Sequence, residues 1–329
     1  MASPKILYIV ITKNCMLSCP FCFNRFVDDF SKCSPNPIDV DLVMSTIDKI
    51  HPEIINFIGG EPLLYPETML DIMKRYTESN KNKIFWCLST NLFYKELSDR
   101  QIECLQYMQD ISLEEVTIGT SYSTDRFKDV KGYKEIFLNN MNRLDDLGIR
   151  IGVTVTLTED LIDSTTPEEL YKKMISIKAK AINLEREIHG EEGADNKVLI
   201  KQYEKSDEYM KECFKIIPQD MNYQYKRFYE AAYYGVPVFC NDCSSSVFTL
   251  YDHGLFSGCP LNNHKSNNKD ALANKKLECG CYTCQYYFFC KGDCECNRQP
   301  ICSFPKKTMD YMLHVALNIK GPRFIYDEQ

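Results

Sequence analysis

Short apolar runs alternate with segments of helical periodicity through about the first two-thirds of the 329-residue chain. The runs fall at 6–11, 54–58, 83–89, 115–120, 150–156 and 180–184, and the amphipathic segments at 40–50, 67–76, 96–108, 133–147 and 167–177. Six such βα repeats imply an α/β fold with a parallel sheet, flat or curved into a partial barrel. In a sheet of this kind the functional loops follow the C-terminal ends of the strands. Beyond the sixth run, helices are expected at 198–217 and 223–234. Gly235-Val236-Pro237 then breaks the pattern. The segments 247–251 and 255–257 flank Asp252-His253-Gly254 and read as a β-hairpin, and a last amphipathic helix is expected at 307–319.

Cysteine is the other constraint. The chain has 17, and ten of them lie between Cys240 and Cys302. The N-terminal apolar run lacks a cleavage site and reads as a strand, so no export signal is expected and the location expected is the cytoplasm. Cytoplasmic thiols stay reduced, which turns such density toward metal or cluster ligation and away from disulfides. Cys33, Cys87, Cys104 and Cys213 stand apart and read as small buried hydrophobes. The five histidines form no ligand-like constellation in the sequence. A net charge of −7 opposes a nucleic-acid partner, which needs a basic surface. No apolar stretch is long enough to span a membrane.

Cys15, Cys19 and Cys22 form C-x3-C-x2-C directly after the first run. Three thiolates on one loop can hold three irons of a 4Fe–4S cube and leave the fourth open to another ligand. Zinc is the rival, but it wants a fourth protein ligand nearby, and no histidine is closer than His51. Phe21, beside the last cysteine, would shield the cluster. The second run ends in Gly59-Gly60-Glu61-Pro62, where two glycines permit a close backbone approach and carbonyls with Glu61 suit an ammonium group.

These two motifs at this offset resemble the radical S-adenosylmethionine (SAM) superfamily. The resemblance implies a partial (β/α)6 TIM-type barrel whose open iron chelates SAM. Reductive cleavage then yields a 5′-deoxyadenosyl radical that takes hydrogen from a substrate. It also implies that Gly59, Gly60, Glu61 and Pro62 meet the SAM amino group, that Ser89 and Asn91 line the pocket, and that Ser121 and Arg126 bind its carboxylate. Thr154, Thr156 and Glu185 would reach the ribose or substrate.

Cys259, Cys281, Cys284, Cys290, Cys294 and Cys302 follow a spacing that resembles the SPASM domain, a small cysteine-rich module with two auxiliary 4Fe–4S clusters. The resemblance implies one cluster on Cys240, Cys243, Cys259 and Cys294. The other would sit on Cys281, Cys284, Cys290 and Cys302, leaving Cys279 and Cys296 spare. It gives three clusters in all, and domains at 1–197 (barrel), 198–235 (helical bridge), 236–305 (auxiliary clusters) and 306–329 (helix and tail). SPASM proteins mostly modify peptides, so the reading is a peptide-modifying oxidoreductase supplied with electrons by a flavodoxin or ferredoxin. The alternative is a dehydrogenase or rearrangement enzyme for a small metabolite. A barrel starting at residue 6 leaves no N-terminal recognition domain, so a peptide would need a separate recognition protein or direct binding. Sulfatase-maturing relatives place an Asp after the hairpin cysteine. Here Pro260 stands there, which disfavours formylglycine formation.

Overall fold

The computed structural model describes residues 5–19, 22, 24, 27–79, 83–114, 116–122, 124, 130–187, 195–238, 246–260, 279–290 and 301–318. Each apolar run becomes a strand: β1 (Ile6–Val10), β2 (Ile54–Ile58), β3 (Phe85–Thr90), β4 (Ile118–Tyr122), β5 (Ile151–Leu157) and β6 (Ala181–Arg186). Strands β1 to β5 pair in sequence order, all parallel, and β6 lies beyond β5. The connecting helices are α1 (Asp28–Ser31), α2 (Val40–Ile50), α3 (Pro66–Ser79), α4 (Asp99–Ile111), α5 (Tyr133–Asp146), α6 (Glu159–Ser164) and α7 (Pro167–Ser176).

Capping chemistry sets several boundaries. Asp39 accepts from the N–H groups of Asp41 and Leu42 to start α2, and Ser98 with Gln101 forms a reciprocal capping box that starts α4. That box is why α4 begins three residues later than the hydrophobic periodicity places it. The short helix α6, absent from the sequence expectation, is likewise started by Thr158, whose side chain accepts from Leu161 N–H.

One face of the strands is buried and carries Leu7, Ile9, Ile55, Phe57, Trp86, Leu88, Ile118, Ile151, Val153 and Val155. Tyr76 of α3 meets Trp86 edge-on at 5.4 Å, which locates that helix on the apolar face. The opposite face carries Ile6, Tyr8, Val10, Ile54, Ile58 and Phe85 with Asn56 on β1 to β3, and turns small or polar, and half-buried, on β4 and β5, with Gly119, Ser121, Gly152, Thr154 and Thr156. Small and polar side chains on that face of β4 and β5 leave room for a ligand there.

The hairpin forms as expected, with β7 (Val247–Tyr251) and β8 (Gly254–Ser257) antiparallel. Strand β7 pairs parallel with β1, so the sheet runs β6-β5-β4-β3-β2-β1-β7-β8. Two compact units result. The first is Met1–Thr156, Lys173–Ile182 and Asp242–Asn267, and the second is Leu157–Lys172, Asn183–Asn241 and Asn268–Gln329. The hairpin, within the segment expected at 236–305, groups with the first five strands. It completes the backbone pairing of β1, whose free edge would otherwise be exposed.

The second unit is built on α8 (Asn196–Ile216), α9 (Tyr223–Tyr234), a single helical turn α10 (Tyr287–Cys290) and α11 (Lys306–Asn318). The buried Asp207 carboxylate of α8 accepts from Lys307 N, Thr308 N and Thr308 Oγ1, and so caps α11 from a neighbouring helix. Tyr286 donates to Asp310 at 2.7 Å, tying the cysteine-bearing segment to α11. Among the described residues no helix is long and apolar enough to cross a membrane.

Candidate active site

Backbone pairing between β1 and β2 continues past the strand ends and brings their two loops together. Ile11 N–H donates to Ile58 O, Gly60 N–H to Thr12 O and Glu61 N–H to Asn14 O, the last two at 2.7 Å. This zipper explains the paired glycines. A Cβ on Gly59, at φ +144°, would lie 2.4 Å from Thr12 O, and one on Gly60 would lie 2.2 Å from Asn14 O. The sequence suggests that the glycines let the backbone approach a ligand. In the structure they let the cysteine loop and the 59–62 turn approach each other.

Directly after Asn14 come the three cysteines: Cys15 is exposed, Cys19 is buried, and Cys22 is half-buried with its N–H donating to Cys19 O at 3.2 Å. The Leu17 N–H donates to Cys15 Sγ at 3.4 Å. Asn91 Nδ2 reaches the same sulfur at 3.5 Å and Met16 Sδ at 3.4 Å. Hydrogen bonds onto a ligating sulfur tune a cluster's potential, so Asn91, expected to line a cofactor pocket, is placed to act on the Cys15 sulfur.

The loop carrying Asn91 is held from several sides. Asn91 Oδ1 accepts from Phe93 N–H, Tyr133 donates to Asn91 O, and Asn140 donates to Leu92 O and Tyr94 O. Leu92 sits fully buried at φ +53°, a left-handed backbone that a branched side chain adopts only under such support.

Glu61 is held inside the structure by three donors. Its carboxylate is 1% exposed and accepts from Thr90 Oγ1 at 2.6 Å, Asn91 N–H at 2.7 Å and Leu63 N–H at 3.2 Å. Burial pushes its carboxyl up from the ordinary range, against the downward pull of these three donors. The side chain clamps β3 to the 62–64 turn. Replacing it leaves several donors buried and unpaired, at about 1–3 kcal/mol each. Glu61→Ala is therefore expected to lose on the order of 3 kcal/mol or more of stability, measured by denaturant unfolding. A loss under about 1 kcal/mol would show that the clamp is not structural.

On the half-buried face, Ser89 of β3 is exposed, Ser121 of β4 stands in register with Thr154 of β5, and Thr156 follows two residues on. Phe21 and Arg126 lie outside the described residues. In the second unit, Glu185 on β6 is exposed and accepts from Asn183 Nδ2 at 2.8 Å.

The C-terminal cysteines are partly within view. Cys281, Cys284, Cys290 and Cys302 line one small cavity with Cys279, Tyr286, Tyr287, Phe304 and Lys306. Four of these thiols are the set expected for one auxiliary cluster. The fifth, Cys279, was expected to be spare and stands at the same cavity. Of the other expected set, Cys259 is half-buried in the first unit, while Cys240, Cys243 and Cys294 lie outside the described residues, as does Cys296. Thiols converging on one aromatic-walled cavity fit a thiolate-ligated cluster.

The fold is shared with solved structures. Native anSMEcpe with bound AdoMet and the Kp18Cys peptide superposes with a TM-score of 0.66 at 18% identity, over 96% of this chain and all of that one. The same protein with the Cp18Cys peptide gives 0.67 at 17%, over 97% of this chain and all of that one. Streptococcus suis SuiB bound to S-adenosylmethionine gives 0.50 at 13%, over 89% of this chain and 71% of that one. No curated protein matches the chain in sequence. The Radical SAM superfamily pattern matches residues 9–183, more than half of the chain, from the strand that leads into the cysteine loop through the sixth. The chain belongs to the radical SAM superfamily.

Proposed function

We propose that the chain is a radical SAM oxidoreductase that modifies a peptide and carries three 4Fe–4S clusters, two of them auxiliary. The observation that carries this reading is the cavity lined by Cys281, Cys284, Cys290 and Cys302, since a radical-generating barrel alone has no use for it. In this reading Cys15, Cys19 and Cys22 hold the first cluster. The 59–62 turn, Ser89, Asn91, Ser121, Arg126 and Thr156 surround SAM, and Phe21 shields the cluster. Cys240, Cys243, Cys259 and Cys294 hold the other auxiliary cluster. When bound, the first cluster and SAM supply one-electron cleavage of SAM and hydrogen abstraction.

The protein's own part is positioning. Asn91 fixes the Cys15 sulfur through its amide, and the 59–62 turn holds the loop at a set distance from β2. The small residues of β4 and β5 leave space above the sheet, and Ser121 and Thr154 offer hydroxyls there. A peptide substrate is supported by the anSMEcpe structures, two of which contain bound peptides. An external donor such as a flavodoxin or ferredoxin would provide the reducing electron.

Auxiliary clusters with full cysteine ligation suit electron transfer better than substrate binding. Cys281→Ala with Cys284→Ala is thus expected to leave deoxyadenosine formation measurable while product falls to background, with about four irons lost. Deoxyadenosine and product are quantified separately, with circular dichroism on the same sample. A folded double variant that still makes full product would sink the electron-transfer role and favour a redox-neutral reaction on a small metabolite.

A further inference from the structure

Cys33 and His253 are separated by most of the chain, and neither belongs to the cluster motifs. The fold nevertheless brings Cys33, Asp252 and His253 together in the first unit, with one donor atom from each within 4.8 Å of the others. The sequence reads Cys33 as a plain buried hydrophobe and finds no constellation among the histidines, because β7 pairing with β1 is what joins them. Cys33 is buried against Val10, Ile58 and Tyr251, with Phe30 and Phe256 packed on the same cluster. Asp252 and His253 form the turn of the β7–β8 hairpin and are partly exposed.

Existing hydrogen bonds already orient the group. Asp252 Oδ2 accepts from Ser34 N–H at 2.6 Å, and Oδ1 lies 3.1 Å from His253 Nδ1. His253 stacks on Tyr251 with ring centroids 5.3 Å apart, which fixes its plane. Burial, and next to it Asp252, push the Cys33 thiol up to about 12. A thiolate, an imidazole and a carboxylate are the mixed S, N and O donors that zinc accepts. Tetrahedral zinc with ordinary bond lengths holds its donors about 3.4–3.6 Å apart, inside the 4.8 Å that spans these three atoms.

We infer that Cys33, Asp252 and His253 form a mononuclear zinc site, distinct from the iron–sulfur clusters, with water as the fourth ligand. The cation displaces the Cys33 S–H proton to solvent, while His253 coordinates as a neutral imidazole that keeps one ring N–H. Ser34 N–H keeps its bond to Oδ2, acting as the outer partner that orients the carboxylate. The site would pin the segment between β1 and α2, which carries Cys15, Cys19 and Cys22, to the hairpin turn. That makes it a structural support for the cysteine loop and not a further catalytic centre.

The test uses the full chain with its iron–sulfur clusters reconstituted, given one equivalent of zinc and then desalted. About one zinc per chain should be retained, and zinc-edge X-ray absorption should show one sulfur near 2.3 Å with nitrogen or oxygen near 2.0–2.1 Å. His253→Ala, at a partly exposed turn, should weaken zinc binding at least about tenfold, the loss that even an outer-shell change brings. Cys33→Ser should remove the sulfur scatterer, and neither variant should change the iron content. The site is overturned by any of three results: no zinc retained, zinc surrounded by three or four sulfurs (placing it among the cluster cysteines), or His253→Ala binding zinc as tightly as the parent. If Cys33→Ser does not fold, the His253 variant alone decides.

Discussion

Replacing Cys15, Cys19 and Cys22 together by alanine is expected to remove about four of about twelve irons and to take SAM cleavage to background. Alanine offers no donor to iron, and no histidine is closer to the loop in sequence than His51. The fold should survive, because the loop is held by bonds that do not involve sulfur. Ile11, Gly60 and Glu61 keep their backbone pairing to Ile58, Thr12 and Asn14. Thr12 Oγ1 still donates to Pro35 O at 2.7 Å, and Asn24 Nδ2 to Gly59 O at 2.8 Å. Iron analysis, deoxyadenosine measurement and circular dichroism on one sample separate loss of the cluster from loss of the fold. A folded triple variant that retains the full iron content would mean that these cysteines are not ligands. Loss of all iron would mean that the proposed clusters do not form independently.

The second large effect is expected at Gly60. An alanine Cβ there would stand 2.2 Å from Asn14 O and 2.4 Å from Lys13 O, both backbone atoms that no side-chain rotation can move. The two loops must separate, breaking the Gly60–Thr12 and Glu61–Asn14 hydrogen bonds and shifting Cys15, the next residue in the chain. Overpacking in a core typically costs about 1–3 kcal/mol, and rigid backbone on the receiving side places this case at or above the upper end. Gly60→Ala should therefore lose at least about 3 kcal/mol in denaturant unfolding and fail to hold its full complement of iron. Gly119→Ala is the matched control. Its Cβ would meet nothing closer than Leu88 O at 3.5 Å, an ordinary contact. In an extended strand that change restricts the unfolded chain and should be near neutral. Equal tolerance at the two positions would show that the loops are not packed as described.

Much of the barrel was legible in the sequence because its information is local. Strand β2, helices α2 and α9, and the turn between β7 and β8 all follow from residues adjacent in the chain. Apolar runs, a capping Asp39 and a glycine at the left-handed end of α9 mark them directly. The cysteine spacing was legible for the same reason, since a cluster-binding loop gathers its ligands within eight residues.

The sequence determined by itself the parallel α/β order, the site at the strand ends and the cysteine-rich character of the C-terminal region. What only the tertiary structure decided depends on residues far apart in the chain. The apposition of Gly60 to Asn14, the clamp of Glu61 on Thr90 and Asn91, and the bond from Asn91 to Cys15 all join different strands. The parallel pairing of β7 with β1 is of the same kind, and it moved the hairpin into the first unit and set His253 beside Cys33. Hydrophobic periodicity reports which face of an element is buried but carries no record of the partner that buries it. Side chains such as Glu61 and Cys33 therefore acquired their roles only when sheet order chose their neighbours.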